Sequence, residues 1–297
     1  ALKPEAVFFC HYQRFEIFIA ASIIRTLGIL TFTMNDSKFD DYARDLWREV
    51  GKSLYLMPYR GALVASRRSK DYLRFLGIRA NRIALGYDSV SVDRIQRLAK
   101  TPPAPGGPPF ADRHFTIVAR LLPKKNIALA LKALHILSRS GPTRKLVICG
   151  SGPLDAELKS LTRNLGLESL VEFRGFVQTE AVCETLSNSL CLILPSTEEQ
   201  FGQVIPEALA MGVPVLASEN CGARDELLET GVNGFMFEPT NAEGLAYFMR
   251  LLSSDETAWE AMANAARNTA PRGDVSAFVN GVQQLLGDKH VTPKARA

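Results

Sequence analysis

The sequence predicts an α/β protein built on two doubly wound parallel sheets, and three observations carry that prediction. Short apolar runs alternate with stretches of helical period along most of the 297 residues, as parallel strands joined by crossover helices do. Residues 101–109, TPPAPGGPP, hold five prolines and two glycines, a composition that forms neither helix nor central strand. Residues 190–218 read as strand, polar loop, short helix and strand again. Open α/β sheets bind ligands in loops of that kind, at the carboxyl ends of their strands.

In chain order, residues 6–10 read as the first strand and 14–27 as a helix ended by Gly28. Residues 29–33 form the second strand, followed by the polar turn Asn35-Asp36-Ser37. A long amphipathic helix is expected over 42–59, because Leu46, Val50 and Leu54 recur at helical spacing. Residues 62–65 are the third strand, 69–76 a helix ending at Gly77, and 82–85 the fourth strand. The Pro/Gly stretch then marks the expected domain boundary. The chain accordingly divides into a first domain (1–100), a linker (101–111), a second domain (112–273) and a terminal helix with its tail (274–297).

The second domain opens with a strand at 115–119 and a helix at 127–138. A strand at 145–149 ends in Gly150-Ser151-Gly152-Pro153, where glycine permits a tight turn and close approach of backbone to a ligand. Residues 171–177 give a further strand and turn. The apolar run 190–194 is a buried strand stopped by Pro195, and a helix follows to Met211, closed by Gly212 and Pro214. A strand at 214–218, the turn 220–223, a short strand at 235–237 and helices at 242–252, 256–268 and 275–286 complete the pattern. The tail from residue 288, with Lys289, Lys294 and Arg296, reads as a frayed end.

Composition excludes several classes. With 46% hydrophobic and 22% charged residues the chain is ordinarily globular and long enough for two cores. No apolar run reaches membrane-span length, the richest (15–24) containing Glu16, and no secretory pattern opens the chain. The chain passes from Ala1 almost directly into an apolar strand, so it reads as a piece of something longer. Five cysteines at scattered spacings, without a CxxC, and four isolated histidines show no metal-ligand spacing. Reduced thiols in a cytoplasmic protein are the default expectation. Charge is uneven: residues 1–111 carry 17 Lys/Arg against 10 Asp/Glu, a net of +7, while the remainder is negative. A basic front half suits an anionic acceptor or the acidic inner face of a membrane, and an ordinary solvated surface is the other reading.

Two constellations carry chemistry. Arg120 at a strand end and Lys125 at the mouth of a helix form a compact anion site, with helix N–H groups and dipole adding to the two cations. Lys124 is a third basic neighbour, and a basic loop capping a sheet is the alternative. Glu199 on the loop and Glu207 about one turn into the next helix stand eight positions apart. Each has a plain reading as well, Glu199 in a helix capping box from Ser196 and Glu207 on a solvated helix face.

Taken together, Glu199-x7-Glu207, Ala208, Gly212, Pro214-Val215 and Gly222 resemble the nucleotide-sugar signature of retaining GT-B glycosyltransferases of family 4. Residues 119–126 resemble that family's GRLxxxKG, with Ala119 and Asn126 in place of its glycines. Gly150 to Pro153 match its GxGP, and residues 171–177 its VxFxGxV. The resemblance implies the GT-B fold, two Rossmann-like domains facing a cleft, the first of them lacking its opening elements. It also implies that Gly86 to Val90 correspond to the hinge segment and that the last helix crosses back to the first domain.

For the site, the resemblance implies a catalytic set of Arg120, Lys125 and Glu199, the two cations on the donor diphosphate and Glu199 beside the donor sugar. Glu207 would accept both ribose hydroxyls, a task suited to one ionised carboxylate. Gly150, Gly152, Val177, Phe201, Gly202 and Gly222 complete the implied donor site. His11 and Asp36 fall on the acceptor side by the same resemblance, a structural histidine and an Asn-Asp turn being the other readings. The implied activity is retaining transfer from a nucleoside-diphosphate sugar to a glycan, lipid-linked or small-molecule acceptor, with neither metal nor cofactor. The chain holds no Asp-x-Asp motif. A nucleotide-sugar-binding module, an inactive partner subunit and a GT-B phosphorylase or epimerase remain open. A dehydrogenase is weak, since the glycine turn lacks the third glycine of GxGxxG.

Overall fold

A computed structural model of the chain describes residues 4–141 and 143–287. The expected frayed tail from residue 288 lies outside the described residues. Among the described residues there are ten strands: β1 (Ala6–Phe9), β2 (Leu30–Asn35), β3 (Gly61–Val64), β4 (Ile83–Leu85), β5 (His114–Val118), β6 (Leu146–Cys149), β7 (Val171–Gly175), β8 (Ser189–Leu194), β9 (Val215–Ser218) and β10 (Gly234–Phe237). The α-helices are α1 (Phe15–Thr26), α2 (Leu46–Tyr55), α3 (Arg67–Phe75), α4 (Val92–Leu98), α5 (Ile127–Ser138), α6 (Asp155–Asn164), α7 (Thr179–Ser187), α8 (Val204–Ala210), α9 (Arg224–Leu227), α10 (Ala242–Ser254), α11 (Glu256–Thr269) and α12 (Val275–Leu286).

The chain divides into two units, Val90–Asp274 forming one and the segments on either side the other. In the first unit four parallel strands lie in chain order, β1-β2-β3-β4. Its core gathers Ala62, Val64, Tyr72, Leu73 and Ile83. Helix α12 packs on β3 and β4. A Cβ on its Gly281 would come within 2.2 Å of the Leu85 carbonyl oxygen, which explains a glycine in a helix interior.

Helix α2 departs from expectation in length and in orientation. Its apolar stripe faces outward: Leu46, Val50 and Leu54 are 65%, 49% and 58% exposed, while Glu49 and Lys52 are buried. The inward face is held by polar bonds. Lys52 Nζ donates to Glu49 Oε1 at 2.6 Å and the Tyr72 hydroxyl to Glu49 Oε2 at 2.5 Å. Arg44 donates to the Tyr72 oxygen at 2.9 Å. The buried charges are paired and satisfied, which buried charges require.

In the second unit six parallel strands run in the order β10-β9-β8-β5-β6-β7. Every residue of β8 is buried, so the continuous apolar run marks a central strand covered on both faces. The chain winds outward from β5 through β6 and β7, then returns to place β8 on the other side of β5. That reversal makes this sheet doubly wound.

The Pro/Gly stretch is not a free linker. The division falls after Ser89, inside the segment whose resemblance is to a hinge. Residues 101–111 are docked on the second unit: Ala104 N–H donates to the Met211 carbonyl at 2.8 Å, and Thr101 Oγ1 to Glu184 at 2.9 Å. Arg113, 1% exposed, donates to the carbonyls of Gly106, Ser187 and Ser189 at 2.5, 3.0 and 3.2 Å, and its guanidinium lies 4.6 Å from the Trp259 ring. Composition excluded helix and strand here correctly. It cannot report that a buried arginine, four residues beyond the last proline, gathers the segment's carbonyls.

Candidate active site

In a doubly wound sheet the crevice opens where the winding reverses, because successive connections leave on opposite faces there. Here that point lies between β5 and β8, and both sequence constellations follow those two strands. After β5 come Arg120, a 3₁₀ turn at Pro123–Lys125 and then α5. Asn126 joins turn to helix with φ 50° and ψ 38°, a left-handed conformation in which asparagine is tolerated. Its side-chain amide donates to the carbonyls of Pro195 at 3.2 Å and Pro239 at 2.8 Å, so it ties the loop after β5 to those after β8 and β10.

The Lys125 ammonium lies 2.5 Å from Glu199 Oε2, although the two residues are 74 positions apart. The Ser196 hydroxyl donates to the same oxygen at 3.0 Å. Both charged side chains are largely buried, 14% and 12% exposed. The capping-box reading of Ser196 fails, since no helix begins there and α8 starts only at Val204. Glu199 instead forms an isolated parallel bridge with Cys221. Gly222 N–H donates to the Glu199 carbonyl at 3.2 Å and Ala223 N–H to that of Phe201 at 2.9 Å. A Cβ on Gly222 would meet the Gln200 carbonyl at 1.8 Å, so the stitched pair of turns requires glycine.

Glu207 sits on α8, where burial pushes its carboxyl up from the ordinary 4.5 to about 7. Among the described residues no hydrogen bond or ion pair engages it. Glu207 is half-buried and every other residue of α8 is buried, so this helix presents no solvated face. Phe201 is 5% exposed, and Gly202 has φ +101°. Arg120 is exposed and makes no ion pair among the described residues. Among the described residues the site thus holds Lys125 paired with Glu199, and Arg120 and the Glu207 carboxyl without ion pairs.

Gly150 and Gly152 are accounted for by the protein's own backbone. A Cβ at either would strike the carbonyl of Ala119 (1.8 Å) or of Leu121 (2.5 Å), so they let the loop after β6 lie against the loop after β5. Val177 is half-buried beyond the end of β7. His11 and Asp36 lie in the first unit, following neighbouring strands β1 and β2. His11 is exposed, and the Asp36 carbonyl accepts from Ser69 Oγ at 2.8 Å. Burial, with Cys10, Asp88 and Asp36 nearby, pushes the Tyr87 phenol up to about 12. The described residues contain no group of three or more His, Cys, Asp or Glu placed to hold a metal ion. Sequence reasoning missed the Ser196 hydroxyl as a partner of Glu199: a serine beside a carboxylate leaves no local signal of which atom it will bind.

Comparison with known proteins gives the chain a family context. The model of "Glycosyl transferases group 1" matches residues 106–269. The chain is 35% identical over 156 residues to the amylovoran biosynthesis glycosyltransferase AmsK of Erwinia amylovora, covering 50% of this chain and 38% of that protein. It is 31% identical over 161 residues to alpha-D-kanosaminyltransferase of Streptomyces kanamyceticus, covering 54% and 42%. The chain thus spans about two-fifths of the length of these two relatives. Its fold is that of Anabaena Alr3699/HepE, crystallised with UDP, at a TM-score of 0.79 and 20% identity, covering 95% of this chain and 78% of that one.

Proposed function

The chain belongs to the glycosyl transferases group 1 family, and from that premise we propose that it transfers a sugar from a nucleoside-diphosphate sugar to an acceptor, with retention and without a metal ion. One observation carries this reading: a cation–carboxylate pair and a second, partnerless carboxyl at the reversal of a doubly wound sheet. The UDP bound by HepE supports a nucleoside diphosphate as the donor's leaving group.

As the glycosidic bond breaks, negative charge grows on the departing diphosphate. Arg120 and Lys125 meet that charge and stabilise it more in the transition state than in the ground state. Glu207 takes the two ribose hydroxyls, and Glu199 meets the donor sugar. Calorimetric titration of UDP, GDP and ADP with a chelator present tests the site. Binding of one of them, abolished in Glu207→Ala, is the expected result; binding that needs a divalent cation would overturn metal independence, and no binding at all would overturn the donor site.

The basic first unit suits a second partner, an anionic membrane surface. Among the described residues no helix is long and apolar enough to cross a membrane. A depression of about 460 Å³ is lined by Arg25, Arg60, Arg79 and Arg82 with no carboxylate in its wall, and the exposed Leu54 and Met57 lie beside them. Cosedimentation with phosphatidylglycerol vesicles but not phosphatidylcholine vesicles is expected. Equal recovery with both would count against it.

A further inference from the structure

Glu199 is loaded on one oxygen only. Lys125 Nζ at 2.5 Å and Ser196 Oγ at 3.0 Å both meet Oε2, and among the described residues Oε1 has no partner. Ser196 is fully buried and is itself held, because Ser218 Oγ at the end of β9 donates to the Ser196 carbonyl at 2.5 Å. Ser218 is fully buried too, and its oxygen accepts from Asn220 N–H at 3.3 Å.

We propose that Ser196, anchored by Ser218, is a positioning residue that fixes the Glu199 carboxylate for the donor sugar and keeps it fixed when an anionic diphosphate draws Lys125 away. The inference rests on the proposed donor site and adds to it a residue that the site's charges alone do not require.

Two physical points carry it. First, an ionised carboxylate only accepts hydrogen bonds, so both Lys125 and Ser196 must donate to it. Once Lys125 turns to a phosphate, the serine is the one partner left to hold Oε2. Oε1 is then available to a sugar hydroxyl without any rotation of the carboxylate, and preorganisation of this kind supports catalysis. Second, the loop does not need the Ser196 hydroxyl for its own shape. Thr197 N–H donates to the Lys124 carbonyl at 2.8 Å, Asn220 Nδ2 to the Thr197 carbonyl at 2.7 Å, and Gly222 N–H to the Glu199 carbonyl at 3.2 Å. The backbone is stitched to both neighbouring loops, so removing the hydroxyl frees a side chain and leaves the loop in place.

The test compares each nucleoside diphosphate with its sugar ester, using UDP, GDP and ADP beside UDP-glucose, UDP-N-acetylglucosamine, GDP-mannose and ADP-glucose on the 297-residue chain. In the wild type, one sugar ester binds more tightly than its parent diphosphate. Ser196→Ala is expected to weaken that ester about tenfold, the scale of one hydrogen bond to a charged acceptor, while the parent diphosphate changes less than about twofold. In a Glu199→Ala background, Ser196→Ala should add nothing. Equal weakening of ester and diphosphate would mean that the serine only supports the loop, and overturns the proposal. So does an additive effect in the Glu199→Ala background, an ester affinity unchanged by Ser196→Ala, or a wild type in which no sugar adds affinity. Failure of every diphosphate to bind the wild type is the separate result that removes the donor site itself.

Discussion

Replacing Arg120 or Lys125 with alanine is expected to lower turnover by roughly 10²–10³, the cost of losing one preorganised electrostatic donor, with a smaller rise in the donor KM. The two variants should differ in stability. Arg120 is exposed and unpaired among the described residues, so Arg120→Ala leaves the melting temperature nearly unchanged. Lys125 neutralises a carboxylate that is only 12% exposed. Lys125→Ala leaves that charge partly buried with only Ser196 bound to it, a costly arrangement, so a lower melting temperature should accompany the loss of activity. Steady-state kinetics with the donor varied, together with thermal melts of both variants, check this. Turnover unchanged in both would show that neither cation meets the leaving group.

Glu207 is expected to make donor binding depend on pH and to cost the fold stability. Burial raises its carboxyl to about 7 from the ordinary 4.5, so the folded chain holds a proton that the unfolded chain has released between those values. Stability therefore falls as pH rises from 4.5 through 7, and the penalty is complete above 7. Glu207→Gln removes the penalty. At pH 8 it should stabilise the fold by roughly 2 kcal/mol, about 4–8 °C in melting temperature for a unit of this size, with no gain at pH 4.5.

Ligand binding runs the other way. Ribose hydroxyls donate to the ionised carboxylate, so affinity for the bound diphosphate should strengthen about tenfold between pH 6 and pH 8 as Glu207 ionises. The same titration of Glu207→Gln should show weak binding without that component, which separates it from ionisation of the ligand's own phosphate. A variant that binds as tightly as the wild type, with the same pH profile, would remove Glu207 from the site. More stable and less able to bind is the joint signature of a carboxyl buried for function.

The sequence by itself determined the strands, most of the helices and the positions of Arg120, Lys125, Glu199 and Glu207. It could do so because strand and helix periods, proline stops and glycine turns are local properties, written within a few residues of where they act. What it could not determine is which distant elements meet. That Lys125 lands on Glu199 follows from the reversal of the sheet between β5 and β8, a matter of strand order and not of either loop's composition. The burial of Glu207 likewise depends on surroundings that a helical wheel does not contain. Helix α2 had the right period and the opposite face: periodicity shows that a helix has two sides, and partners elsewhere in the chain, Arg44 and Tyr72 among them, made the charged side the buried one. The Pro/Gly stretch was legible as irregular chain, and only the buried Arg113 fixed it to the second unit. Local sequence sets what each segment can be, and long-range contacts decide which side it buries and what its polar atoms bind.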